Sequence, residues 1–303
     1  MLADQKILIT GPAGQIAFPL ASHLARDNEV WGIARFGSEG SRERVESAGV
    51  RTVMCDLAAG DFTGVPDDFS YVVHLAAFQG PGLDYDDAIR VNAEGTGLLL
   101  SHCRRAKAAL VMSTHSVYKP HGDYQHVFCE SDPLGDVNAT HCPTYSVSKI
   151  AEEAVARSCA RALELPTVIT RMNAAYGATG GLPVLHMDAI VAGQPVVTRW
   201  DPCLYMPIHQ DDINAQTESL LAAASVPATI INWAGDEIVS VQQWSAYAGD
   251  LAGVRPEVIA KEIPGTLRGS VADISKRLNI TGPCQVHWKD GLRRAFDVRH
   301  RVS

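Results

Sequence analysis

The chain has 303 residues, 46% apolar and 20% charged, enough for one large domain with an appended lobe and too apolar for a disordered chain. Its 26 basic and 34 acidic residues leave a net charge of −8, which argues against a nucleic-acid or anionic-membrane partner. Seven scattered cysteines (Cys55, Cys103, Cys129, Cys142, Cys159, Cys203, Cys284) show neither C-x-x-C nor zinc-ligand spacing, so free thiols in a reducing compartment, and no metal, are expected.

Met1–Lys6 runs straight into the first strand without a charged-then-apolar leader, and no apolar run approaches membrane-spanning length. A soluble, cytoplasmic protein is expected. Strands are predicted at Lys6–Thr10, Glu29–Ala34, Arg51–Cys55, Tyr71–Leu75, Ala109–Ser113, Pro166–Arg171 and Thr229–Trp233. They are nearly continuous apolar runs, as a sheet covered on both faces requires. Helix-length segments at Gly14–Arg26, Asp84–Ala106, Tyr145–Leu163 and Asp211–Ala224 separate them. The expected fold class is α/β: a Rossmann-type, doubly wound parallel sheet with a smaller mixed α/β C-terminal substrate lobe. Residues 1–176 and 208–235 are assigned to the dinucleotide-binding domain, and 177–207 and 236–303 to the lobe.

Directly after the first strand comes Thr10-Gly11-Pro12-Ala13-Gly14-Gln15-Ile16-Ala17. Gly11 permits a tight turn, Gly14 lets backbone approach a pyrophosphate, and Ala17 is small enough for close helix–strand packing. The helix starting here aims its first amides at the phosphate, so Gly11, Ala13, Gly14, Gln15 and Ile16 are the expected dinucleotide contacts.

The second strand ends Gly32-Ile33-Ala34-Arg35, with no carboxylate at its tip. A carboxylate there would bind a ribose 2′-hydroxyl and repel a 2′-phosphate; a guanidinium suits the phosphate. NADP(H) is therefore favoured over NAD(H), with Arg42 or Arg44 as possible helpers to Arg35.

The fifth strand ends Met112-Ser113-Thr114-His115-Ser116, and its hydroxyls face the crevice beyond the sheet's carboxyl edge. Downstream, Tyr145 and Lys149 stand at i and i+4, on one face of a helix. A free phenol is too weak an acid to act as a base at neutral pH, and a neighbouring ammonium favours the phenolate. Thr114, Tyr145 and Lys149 form the expected catalytic set: Tyr145 exchanges the proton and Thr114 makes a second hydrogen bond to the substrate oxygen.

The ordered set Thr10–Ala17, Asp56-Leu57, His74–Ala77, Val91–Thr96, Ser113–Tyr118, Tyr145–Lys149, Arg171–Gly177, Ile208–Asp212 and Gly291-Leu292 resembles the extended short-chain dehydrogenase/reductase family, which includes nucleotide-sugar epimerases and dehydratases. The resemblance spans nearly the whole chain. It implies that Asp56 contacts the adenine, that Ala76 lies along the cofactor, and that Lys149 also holds the nicotinamide ribose. Leu57, Leu75, Ala77, Asn92 and Met112 complete the expected cofactor set. It also implies a homodimer through the helices near Asp84–Ala106 and Tyr145–Leu163.

The chain departs from that pattern where substrate would bind. Ala174 stands at the usual asparagine, with Asn173 one place early; Tyr205 replaces the usual diphosphate-binding arginine; His115 and Ser116 replace the acid pair of sugar dehydratases; and Lys119 replaces a glycine. His115, Ser116, Asn173 and Tyr205 are the expected substrate contacts. Trp200, Tyr205, Met206 and His186 are suited equally to line a pocket or to form the core of the lobe.

These features favour an NADP(H)-dependent oxidoreductase moving hydride between nicotinamide and a carbonyl or alcohol carbon of a small polar or sugar-like substrate. The alternative is a redox-neutral, NAD(P)-dependent sugar epimerase. A non-catalytic dinucleotide sensor is disfavoured because Thr114, Tyr145 and Lys149 are all retained.

Overall fold

A computed structural model describes residues 2–137 and 142–301. Seven strands form one sheet: β1 (Lys6–Thr10), β2 (Glu29–Ala34), β3 (Arg51–Met54), β4 (Tyr71–His74), β5 (Ala108–Thr114), β6 (Thr167–Met172) and β7 (Thr229–Trp233). Their spatial order is β7-β6-β5-β4-β1-β2-β3, and every neighbouring pair is parallel. The order reverses at β1 and β4, where Thr10 lies opposite His74. Beyond that switch point such sheets open their ligand crevice.

The helices are α1 (Ala17–Leu24), α2 (Ser41–Ser47), α3 (Tyr85–Ile89), α4 (Gly95–His102), α5 (Tyr145–Ala162), α6 (Leu182–Val191), α7 (Gln210–Ala222), α8 (Val241–Ala252), α9 (Ser275–Thr281) and α10 (Trp288–His300). None of the described helices is long and apolar enough to cross a membrane. Two apolar layers cover the sheet, one gathering Ile7, Ile9, Leu20, Ile213 and Trp233, the other Leu8, Val72, Leu99, Val111 and Ile169. Residues alternating along β1 feed opposite layers, which is why its interior, Ile7-Leu8-Ile9, is apolar throughout. A separate cluster, with Met187, Trp244, Leu292 and Phe296, joins α6, α8 and α10 beside the carboxyl edge of the sheet.

The strand expectations hold to within one residue. The helix expected over Asp84–Ala106 is interrupted: between α3 and α4 the chain makes a π-type turn, Arg90–Glu94. This turn holds Asn92 inward, where its amide oxygen accepts from Phe78 N at 2.6 Å and its nitrogen donates to Ser148 Oγ at 2.9 Å. A wide turn that re-aims one side chain is the usual reason for such an interruption.

Candidate active site

The glycine turn folds against the end of β4. Gly11 has φ +64°, and a Cβ there would stand 3.1 Å from the Ala76 Cα, so both backbone conformation and space demand glycine. The N-terminus of α1 has no side-chain cap and opens onto the glycine turn, although Phe18 N is already bonded to Gly14 O at 2.9 Å and Pro19 carries no N–H. A cleft of about 630 Å³ runs from here along the carboxyl edge, lined by Gly11, Ala13, Gly14, Gln15, Ile16, Arg35, Asp56, Leu57, Leu75, Ala76, Ala77, Asn92 and Met112. Every non-catalytic residue expected to touch the cofactor lies on this wall. The glycine cradle, the uncapped helix and the cleft together fit a dinucleotide.

Several expected contacts carry structural duties as well. Asp56 accepts from Ala58 N at 3.1 Å, capping a short 3₁₀ turn while its side chain faces the cleft. Arg35 is exposed at the cleft rim and has no carboxylate partner among the described residues. The proposed helpers differ from expectation. Arg42 is turned onto Glu46 and Thr52, away from the cleft. Arg44 donates to Ala13 O at 2.6 Å and lies over the Phe18 ring, bracing the glycine turn from outside.

A second cavity, about 620 Å³, adjoins the first; Gln15, Ile16, Leu75, Ala77, Gln79 and Met112 line both. Thr114 and Tyr145 stand in its wall. Thr114 ends β5, and its oxygen accepts from Ser116 N at 3.2 Å, which leaves its hydroxyl proton to donate elsewhere. Tyr145 opens α5 and is half-buried. One turn on, Lys149 is buried, donates to Met112 O at 2.8 Å and forms an ion pair with Glu152. Thr114 and Tyr145 thus share the wall of the second cavity, and Lys149 is buried behind Met112, which lines both cavities.

The expected substrate contacts all line this second cavity, in different ways. His115 is buried, with Nδ1 3.0 Å from Ser270 Oγ; burial and then the Arg171 guanidinium push it down to about 3, so it is neutral. Asn173 is a brace: its nitrogen donates to Ser270 O at 2.6 Å and its oxygen accepts from Met206 N at 3.0 Å. The Tyr205 phenol accepts from Arg199 at 2.8 Å and is pushed up by burial to about 12, against the pull of that guanidinium. His186 also lines the cavity, whereas Trp200 and Met206 are buried in the cores behind it.

Two lining residues escaped the sequence reading. Among the described residues lining the second cavity, Arg199 carries the only formal charge. It is also the sole arginine or lysine between 177 and 207, a signal available in the sequence. Ser270 is set beside His115, 155 residues away in sequence, by a chain segment that no motif marks.

The model of the NAD dependent epimerase/dehydratase family matches residues 7–193, well over half of the chain. The chain belongs to that family. No curated protein sequence matches it. Among solved structures it is similar to UDP-glucuronic acid 4-epimerase from Bacillus cereus in complex with UDP-glucuronic acid and NAD, at 23% identity over 97% of this chain and 98% of that one, with TM-score 0.84. UDP-glucose 4-epimerase from Thermus thermophilus in complex with NAD gives 24% identity over 98% and 100%, with TM-score 0.82. UDP-N-acetylglucosamine 4-epimerase from Methanobrevibacter ruminantium gives 20% identity over 98% of each chain, with TM-score 0.83. Likeness at this level establishes the fold, a parallel α/β architecture shared over nearly the whole chain.

Proposed function

We propose that the chain moves hydride reversibly between a bound nicotinamide dinucleotide and an alcohol-bearing carbon of a sugar-like substrate, with inversion at that carbon as the net outcome. The observation that carries this reading is the placing of Thr114 and Tyr145 on the wall of a cavity that shares six lining residues with the dinucleotide cleft. Membership of the epimerase/dehydratase family, and neighbours crystallised with UDP-sugars and NAD, favour redox-neutral turnover over net oxidation or reduction.

When bound, the dinucleotide supplies the hydride acceptor and donor. The chain's own residues handle the proton. Tyr145 takes it from the substrate hydroxyl as the carbonyl forms and returns it when the alcohol is restored. Thr114 donates a hydrogen bond to the same oxygen, and Lys149 stabilises negative charge on the phenol. No acid pair follows Thr114, so the elimination catalysed by sugar dehydratases lacks its proton donor here.

A second reading is a net NADP(H)-linked reductase, favoured by Arg35 at the tip of β2, where a carboxylate would exclude a 2′-phosphate. We assign the two-domain division at 176/177, 207/208 and 235/236 on the same basis, with the α6–α8–α10 cluster as the substrate lobe. A homodimer through α4 and α5 is proposed from the family resemblance. Incubation with a panel of UDP-sugars and free sugars, without added reductant, tests the choice. Inverted product supports the epimerase; NADPH consumption with carbonyl substrates and no inversion supports the reductase.

A further inference from the structure

Glu152 is fully buried one turn beyond the Tyr/Lys pair, and the mechanism above makes no use of it. Neither carboxylate oxygen has a hydrogen bond of good geometry. One oxygen forms the ion pair with the Lys149 ammonium; the other lies 3.4 Å from His74 Nε2.

Hydrogen-bond accounting fixes the state of His74. Thr10 Oγ1 already accepts from Leu75 N and Ala76 N, so its own proton goes to His74 Nδ1 at 2.7 Å. Thr96 Oγ1 donates to Asn92 O, so it accepts from His74 Nε2 at 2.8 Å. The ring N–H on Nε2 is thus given to Thr96, and His74 makes no hydrogen bond to Glu152. Among the described residues the lysine or arginine paired with this carboxylate is Lys149, while Arg171 is held bidentate by the neighbouring Glu153.

Resting on the reading of the cleft as a dinucleotide site, we infer that Glu152 is a positioning residue and counter-charge for Lys149. It sets how strongly the site prefers the oxidised over the reduced nicotinamide. An ammonium has three N–H donors; Met112 O and Glu152 engage two, and Met112 itself lines both cavities, so the charge of the pair lies one residue behind the cleft wall. The pair is neutral overall, so the cationic ring of an oxidised nicotinamide is not repelled by a bare ammonium. A residue for redox-neutral turnover needs this balance, because the nucleotide must be reduced and reoxidised within one cycle.

Dissociation constants of the oxidised and reduced forms are measured by fluorescence titration of the full chain, using NADP⁺/NADPH and NAD⁺/NADH. Glu152→Gln leaves the ammonium uncompensated, and the ratio of oxidised to reduced constants is expected to rise about tenfold, raising the bound midpoint potential by about 30 mV. Lys149→Gln is expected to lower the ratio, and the double variant to restore it near the unsubstituted value. If one single variant fails to fold, the other and the double still carry the test. Glu152→Asp, which keeps the charge, should keep the ratio. Parallel weakening of both forms at constant ratio overturns the inference and leaves the dinucleotide reading intact. Failure of the unsubstituted chain to bind either form overturns both.

Discussion

Lys149 Nζ donates to the main-chain carbonyl of Met112 at 2.8 Å, fastening the helix that carries the Tyr/Lys pair to the strand that ends in Thr114. Tyr145 and Thr114, the proposed proton donor and second hydrogen-bond donor, thereby sit on a helix and a strand rather than on loops, both on the wall of the second cavity. Removing the phenol oxygen alone should spare that scaffold. Tyr145→Phe is expected to lower turnover by about 10²- to 10⁴-fold while dinucleotide affinity changes by less than about threefold. Parallel turnover and fluorescence titrations check this; near-normal turnover would remove Tyr145 from the chemistry.

Among the described residues, Arg199 offers the second cavity its one formal charge, steadied by Tyr205. Arg199→Gln is expected to raise KM for an anionic substrate about 10- to 100-fold, with little change in kcat and a smaller effect on an uncharged analogue. Equal effects on charged and uncharged substrates would mean that the guanidinium serves only to pack Tyr205.

Behind the site, Arg171 donates to both oxygens of Glu153, at 2.9 and 2.8 Å, and Ser113 Oγ donates to the same carboxylate at 2.5 Å. Both members of the pair are buried. Breaking it leaves a guanidinium without its partner, so Glu153→Ala is expected to cost about 3–5 kcal/mol of folding stability. Urea unfolding measures the loss; a change below about 1 kcal/mol would contradict the account.

Burial holds His115 down to about 3 and His186 to about 4, both below their ordinary 6.5. Between about 6.5 and 4 the unfolded chain binds protons that these folded sites refuse. Their contribution is therefore full above 6.5 and is lost as pH falls. The urea midpoint should drop on acidification from about pH 7 to about pH 5, before most carboxylates titrate, and His186→Gln should flatten the slope. Its carboxamide oxygen keeps an acceptor available for Trp244 Nε1, which donates to His186 at 3.0 Å. A midpoint independent of pH across that range would contradict the assignment.

The central strands β1, β4, β5 and β6 were legible because each is largely buried on both faces and so reads as a nearly continuous apolar run, bounded by turn residues. The Tyr145/Lys149 pair was legible because helical spacing is local. Glu152 lies three residues past Lys149, equally local, yet its burial depends on His74 and Thr96 packing over it from distant segments. The π-type turn at Arg90–Glu94 was hidden because local propensity does not reveal the Phe78 backbone that Asn92 satisfies. Arg42 and Arg44 show the same limit: their types suited a phosphate, and contacts with Glu46, Thr52, Ala13 and Phe18 decided their orientation.

The central claim is that a nicotinamide dinucleotide lies between Arg35 and Tyr145. The most direct test is fluorescence titration of the purified chain and of Arg35→Ala with NADPH and NADH, with any nucleotide that co-purifies identified. The account predicts saturable binding of at least one of the two, and its NADP(H)-linked second reading predicts in addition a loss of about 10- to 100-fold in NADPH affinity alone on removing Arg35. Tight NADH binding that Arg35→Ala leaves unchanged, with NADPH excluded, would contradict the role of Arg35. Absence of binding by either nucleotide would contradict the site itself.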